Sequence, residues 1–217
     1  MIGRRALLCA AGAAALVSRG AHAALPVPQD EQLAFRVLRG DWAIGTHALR
    51  FVRRPDGLDV HIEVDLRVGL GPITLYRYTG RATERWQGGR IESYDGTTED
   101  GGAHSFVRAL RDVRGLWVEG SNMPRYLAPP DALPATHWNK AELNGPLINP
   151  KDGRLVRPAV ARIGVTQVSE ADGQPVSATQ YALSGDVQMD LWYDSAAAWV
   201  ALHLTAPDGS LIRYERM

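Results

Sequence analysis

The chain has 217 residues, with 24 basic and 24 acidic side chains and a single cysteine, Cys9. Residues 1–23 read as a secretory signal peptide: Arg4 and Arg5 lead, an uncharged apolar run follows over 6–18, and Ala21-His22-Ala23 is a small-residue cleavage pattern. Removing Arg4, Arg5 and Arg19 from the 24 basic residues leaves 21 against 24 acidic ones, a net charge of −3, which argues against nucleic acid and against an anionic membrane surface as partners.

The presequence fits Sec or twin-arginine export, with cleavage after Ala23 and a periplasmic destination. The expected mature chain has no cysteine, so it folds in an oxidising compartment on its hydrophobic core alone. No later apolar run reaches the length of a membrane-spanning helix, and a soluble mature protein without a transmembrane segment is expected. Residues 24–33 hold two prolines and read as a mobile leader. Residues 34–217 read as one β-rich domain.

In chain order, 34–39 is a first short strand and 42–54 a second, with Gly45 as a bulge. Pro55-Asp56-Gly57 turns the chain into the most regular stretch, residues 58–86. Leu58, Val60, Ile62, Val64, Leu66 and Val68 alternate with Asp59, His61, Glu63, Asp65 and Arg67, the period of a half-buried strand. A second alternating run carries Tyr76, Tyr78, Ala82 and Trp86 on one face and Arg77, Thr79, Arg81, Thr83 and Arg85 on the other. With Gly69–Ile73 as the connection, a long hairpin is predicted. Pairing Val68 with Thr74 places Asp65 opposite Arg77, His61 opposite Arg81, Leu66 opposite Tyr76 and Val64 opposite Tyr78.

Strands over 91–98, 104–111 and 116–119 continue an up-and-down meander with Gly-rich turns. The pattern breaks over 120–158, which holds seven of the 13 prolines and no period of two. A short helix is expected around 138–143. A long irregular segment in a compact domain is usually functional, and its aromatic content argues against disorder. Strands resume at 160–168, 176–184, 187–193, 199–205 and 210–216.

The predicted fold is all-β: a long antiparallel meander of ten to twelve strands, curled into an open or partial barrel, with the Pro-rich segment as plug or lid.

Chemistry is sparse. The histidines after the presequence (His47, His61, His104, His137 and His203) have no metal-ligand spacing, so no metal or other cofactor is expected. There is no nucleophile elbow, and no Gly-rich turn opens a helix to cradle a phosphate. Asp59, Glu63 and Asp65 share a strand face and are accounted for by arginines of the next strand. Asp190 sits between apolar neighbours. His137-Trp138-Asn139 is the densest group able both to hydrogen-bond and to stack. No catalytic residue is assigned. The candidate ligand contacts are Tyr76, Tyr78, Trp86, His137, Trp138, Asn139, Asp190 and Trp192.

Residues 66–86, Pro134-Ala135-Thr136-His137-Trp138-Asn139 and the run from Gly185 to Asp194 resemble a bacterial family of exported proteins classed as a domain of unknown function. Leu191-Trp192-Tyr193-Asp194 with Trp199-Val200 is similar to a broader group of envelope proteins, shaped like the open β-barrels of periplasmic lipoprotein carriers. The resemblance implies a curled sheet with a hydrophobic interior and supplies no catalytic residues. Three readings stand at this point. One is non-enzymatic binding of an apolar small molecule or lipid. Another is an enzyme using Asp190, His137 and Asn139, with Arg125 steering an acidic group. The third is an envelope-assembly module that pairs through a sheet edge.

Overall fold

A computed structural model describes residues 25–70 and 73–217. The expected signal peptide and the Gly71-Pro72 turn lie outside the described residues. The strands are β1 (Gln32–Arg39), β2 (Trp42–Arg54), β3 (Gly57–Leu70), β4 (Ile73–Gln87), β5 (Arg90–Asp100), β6 (Ala103–Asp112), β7 (Gly115–Gly120) and β8 (Met123–Leu127). Three two-residue strands follow: β9 (Leu133–Pro134), β10 (Leu147–Ile148) and β11 (Leu155–Val156). The last five are β12 (Ala159–Ser169), β13 (Pro175–Ser184), β14 (Met189–Tyr193), β15 (Trp199–Thr205) and β16 (Leu211–Arg216).

Thirteen of these form one antiparallel sheet in the order β12-β13-β14-β15-β16-β1-β2-β3-β4-β5-β6-β7-β8. The first strand pairs with the last, Phe35 opposite Arg216 and Val37 opposite Tyr214, so the two halves of the chain share one wall. Among the described residues the sheet does not close: β8 and β12 are its two edges. Its curvature shows in the core. Leu183 on β13 and Val107 on β6, far apart in strand order, belong to one buried cluster with Phe35, Phe51, Val60, Trp86, Trp138 and Trp199. Leu25 and Val27, in the stretch expected as a leader, pack against the same cluster.

The alternation on β3 sets the wall's two faces. Val60 and Ile62 are buried inside, while the outward carboxylates meet arginines: Asp59 with Arg54 at 3.1 Å and Arg85 at 3.4 Å, Glu63 with Arg81 at 2.8 Å. The predicted β3–β4 register is corrected by two residues. Val68 lies opposite Tyr76, Leu66 opposite Tyr78, Val64 opposite Gly80, Asp65 opposite Thr79 and His61 opposite Thr83. The hairpin closes across Leu70 and Ile73, tighter than the expected five-residue connection, and a bulge leaves Leu75 unpaired. A shift of two keeps every side chain on its predicted face. Asp65 still reaches Arg77, diagonally, at 3.5 Å.

Gly45 is at a bulge, as its place in the pattern predicts. The β1 register jumps between Val37 and Leu38 and leaves Ile44 unpaired. A Cβ on Gly45 would lie 1.9 Å from the Asp65 carbonyl oxygen, so the close approach of β3 requires glycine there.

The strand count exceeds the expected ten to twelve. Met123–Leu127 forms an eighth meander strand in the segment read as irregular, and β9–β11 make a small separate sheet. The segment from Ala128 to Pro158 crosses from one sheet edge to the other as a plug. A 3-10 turn spans Lys140–Asn144, where a short helix was expected, and Asn139 caps it by accepting from the Ala141 amide at 3.1 Å. The plug packs tightly on β7: a Cβ on Gly120 would come within 2.2 Å of the Asp152 carbonyl oxygen.

Candidate functional site: an apolar cavity above a hydrogen-bonded plug

The inner wall of β3 and β4 is only partly covered by the plug. Ile62, Val64, Leu66, Val68, Tyr76 and Tyr78 line a cavity of about 660 Å³, together with Tyr94, Met189, Leu202, Leu204, Ile212 and Tyr214. Ala135, Thr136, His137 and Pro150 of the plug form part of its lining. The β15–β16 turn, Ala206 to Asp208, and the end of β1 at Arg39 place its mouth. Tyr76, 40 % exposed, and the solvent-exposed Asp208 carry it to the surface. Arg39 and Asp208 form an ion pair there, so the charge at the mouth is compensated. Burial pushes the phenols of Tyr78, Tyr94 and Tyr214 above the usual tyrosine range, so all three are neutral lining groups.

Beneath the cavity two buried carboxylates hold the plug. Glu84 is on the inward face of β4, with no exposure. One of its oxygens, Oε2, accepts from the indole N–H groups of Trp86 and Trp138, each at 2.8 Å, and Oε1 accepts from the Thr136 hydroxyl at 2.6 Å. The two indoles meet edge to face, centroids 5.3 Å apart, and Phe51 packs on Trp138 at the same spacing. Burial pushes the Glu84 carboxyl above its ordinary range, and its three donors oppose the shift. Glu142, 1 % exposed, accepts from the His137 amide at 3.0 Å, and its Oε1 is 2.7 Å from His137 Nδ1. The Tyr193 hydroxyl donates to the His137 carbonyl at 2.9 Å, which fastens the plug to β14. His137 takes a left-handed backbone conformation, φ 66°, at the centre of this network.

Trp199 packs between two imidazoles, 5.4 Å from His47 and 5.4 Å from His137. His47 is buried and lines the cavity, and its Nε2 has no hydrogen-bond partner. Burial, and to a lesser degree the neighbouring His137, depresses its pKa to about 3, so it is neutral across the ordinary range.

The structure distributes the sequence-predicted contacts over three places. Tyr76, Tyr78 and His137 line the cavity. Trp86 and Trp138 lie below it in the core, holding Glu84, and Asn139 caps the plug's 3-10 turn. Asp190 and Trp192 are on the outer face. Trp192 donates to Thr166 Oγ1 at 2.9 Å and packs on His203, while the alternate residues Met189 and Leu191 turn inward. Asp190, His137 and Asn139 therefore do not converge on one site, and Arg125 stacks over Trp117.

Sequence reasoning missed Glu84 and Glu142. Glu84 had a readable signal, since it occupies an inward position of β4 between Ala82 and Trp86, where a carboxylate must find buried donors. Glu142 had none, because the plug has no period.

The model of the domain of unknown function DUF6134 matches residues 35–217. The chain belongs to this family. The match begins within β1 and runs to the end of the chain, so the family unit comprises nearly the whole sheet together with its plug. Among solved structures, a β-barrel-like protein of the domain of unknown function DUF1849 from Brucella abortus superposes with a TM-score of 0.55 at 11 % identity. The match covers 86 % of this chain and 94 % of that one. At that identity the likeness bears on the fold alone, and it agrees with an all-β meander curled toward a barrel.

Proposed function

We propose that this protein binds an apolar or lipidic ligand in the cavity and performs no chemistry on it. One observation carries the reading: about 660 Å³ of space is walled mainly by aliphatic and aromatic side chains of the curled sheet, with its charged rim residues paired. That volume falls in the range of small-molecule sites, roughly 300–1,000 Å³. Each methylene buried there contributes about 0.8 kcal/mol, so an acyl chain is held without any specific polar contact. The proposal includes export, with residues 1–23 cleaved and binding in the periplasm.

Native mass spectrometry of protein purified from the periplasmic fraction, with organic extraction of the same sample, tests this. A co-purifying lipid and a mature chain beginning at Ala24 are the expected results. Protein that carries no apolar ligand and binds none after incubation with fatty acids or phospholipids would refute the binding reading.

The edge-pairing alternative has one feature in its favour: β12 exposes Val160, Ile163 and Val165. However, the β12 register jumps between Arg162 and Gly164, leaving Ile163 in a bulge, a device that blocks pairing with another chain.

A further inference from the structure

Two features at the cavity's mouth are left unused by ligand holding. The first is exposed apolar surface: Trp42 is 81 % exposed, Leu75 71 % and Leu211 39 %. Strand pairing puts them at one end of the barrel. Trp42 lies opposite Arg39, Leu75 sits in the bulge beside Val68, and Leu211 pairs with Thr205 just before the turn at the mouth. From Val68 to Tyr76 the sequence has no charge, unlike the neighbouring β1–β2 and β15–β16 turns with Asp41 and Asp208.

The second feature is electrostatic. Arg67 and Arg77 face each other directly across β3 and β4, and both reach the same carboxylate, Asp65, at 3.2 and 3.5 Å. Like charges in register are destabilising, and one carboxylate neutralises only one guanidinium. Glu99 lies diagonally across from Arg77 on the same outward face, so the end as a whole is not strongly cationic. Both arginines are nonetheless about half exposed, and the guanidinium N–H groups that their one shared carboxylate cannot satisfy stand open to an oxyanion.

An exposed indole and leucine with a cation behind them suit the bilayer boundary. The indole favours the headgroup layer, the aliphatic groups favour the acyl region, and the guanidinium favours phosphate. We propose that this end of the barrel docks on a lipid bilayer bearing anionic headgroups, with the cavity mouth facing the membrane. An acyl chain then passes between membrane and cavity without crossing water. The net charge of −3 expected after export works against long-range attraction to such a surface, so the docking is carried at contact by the exposed apolar groups and the two half-exposed guanidinium groups. The inference rests on reading the cavity as a lipid site, and its test separates the two.

The test is flotation of the purified mature protein with vesicles of phosphatidylethanolamine and phosphatidylglycerol, and with vesicles of phosphatidylcholine alone. Lipid content is measured on the same preparations. The wild type is expected to float with the anionic vesicles. Trp42→Asp combined with Leu75→Asp lowers its partition by about tenfold. Arg77→Gln leaves the Arg67–Asp65 pair intact, and it lowers partition about fivefold on anionic vesicles only. Val113→Asp, at a fully exposed apolar position in the β6–β7 turn at the opposite end, leaves partition unchanged. Circular dichroism confirms that each variant is folded. A wild type that stays with the buffer fraction overturns the docking, even if it carries lipid. So does a double variant that floats normally, or one whose main effect is to split a dimer. Flotation by protein with an empty cavity supports docking while removing the ligand reading.

Discussion

Glu84 offers the sharpest test of how the plug is held. Replacing it with Leu leaves the Trp86 and Trp138 indoles buried without an acceptor. Each unsatisfied buried donor costs about 1–3 kcal/mol, so Glu84→Leu is expected to destabilise the protein by about 2–6 kcal/mol. Glu84→Gln behaves differently. Its carbonyl takes the place of Oε2 and accepts from both indoles, while its amide donates to Thr136 Oγ1, which turns from donor to acceptor. The glutamine therefore keeps all three contacts without a buried charge. The pH dependence has a definite sign. Because burial raises the folded pKa above the ordinary value of 4.5, the folded state holds the proton longer than the unfolded state. The wild type's contribution from this group is fully present below that value and is lost as pH rises through the folded pKa. Urea denaturation of wild type, Glu84→Gln and Glu84→Leu at a series of pH values reads this directly. Wild type minus Gln isolates the group: the Gln variant gains relative to wild type as pH rises from about 4 toward neutrality. A glutamine variant as unstable as the leucine variant, or a difference that does not change with pH, would refute the reasoning.

His47→Phe removes an unpartnered buried nitrogen and keeps the ring packing against Trp199 and Tyr214, so stability at neutral pH is expected to hold or rise by about 1 kcal/mol. Since the folded pKa is about 3, the unfolded state takes up the proton first, and wild-type stability falls as pH drops from 6.5 toward 3. Acid titration followed by denaturant melts should show this contribution missing in the Phe variant. Gly120→Ala drives a methyl group into the Asp152 carbonyl and is expected to cost about 1–3 kcal/mol, with faster amide exchange in the plug than in β3. Tyr193→Phe removes the hydroxyl that holds the His137 carbonyl, a loss of about 1 kcal/mol measurable by thermal denaturation with little change in the sheet's circular dichroism.

Most of the sheet was legible because it alternates. The bounds read for β2 and β15 match the strands, the period of two on β3 marked its two faces, and the Gly45 bulge followed from a glycine inside a strand. The hairpin register was not, because turn residues alone do not say whether Leu70 and Ile73 pair or loop, and a bulge at Leu75 absorbs the difference. For the same reason Met123–Leu127 was lost among prolines, although its backbone completes the meander. The candidate site was legible in part. Period two placed Tyr76 and Tyr78 inward, and the same rule puts Asp190 and Trp192 opposite Met189 and Leu191, on the outer face. The plug's interior was closed to sequence reasoning, since Glu142 turns back on His137 inside a segment that has no period, and Tyr193 joins them only from the distant β14.

The claim on which the rest depends is that the space inside the curled wall receives an apolar molecule. Delipidated protein titrated with a fluorescent fatty acid, alongside Val64→Trp and Leu66→Trp, which fill that space from β3, measures it most directly. Saturable binding by the wild type, weakened at least about tenfold in folded tryptophan variants, is the predicted result. Equal binding by all three proteins, or no saturable binding by the wild type, would contradict it.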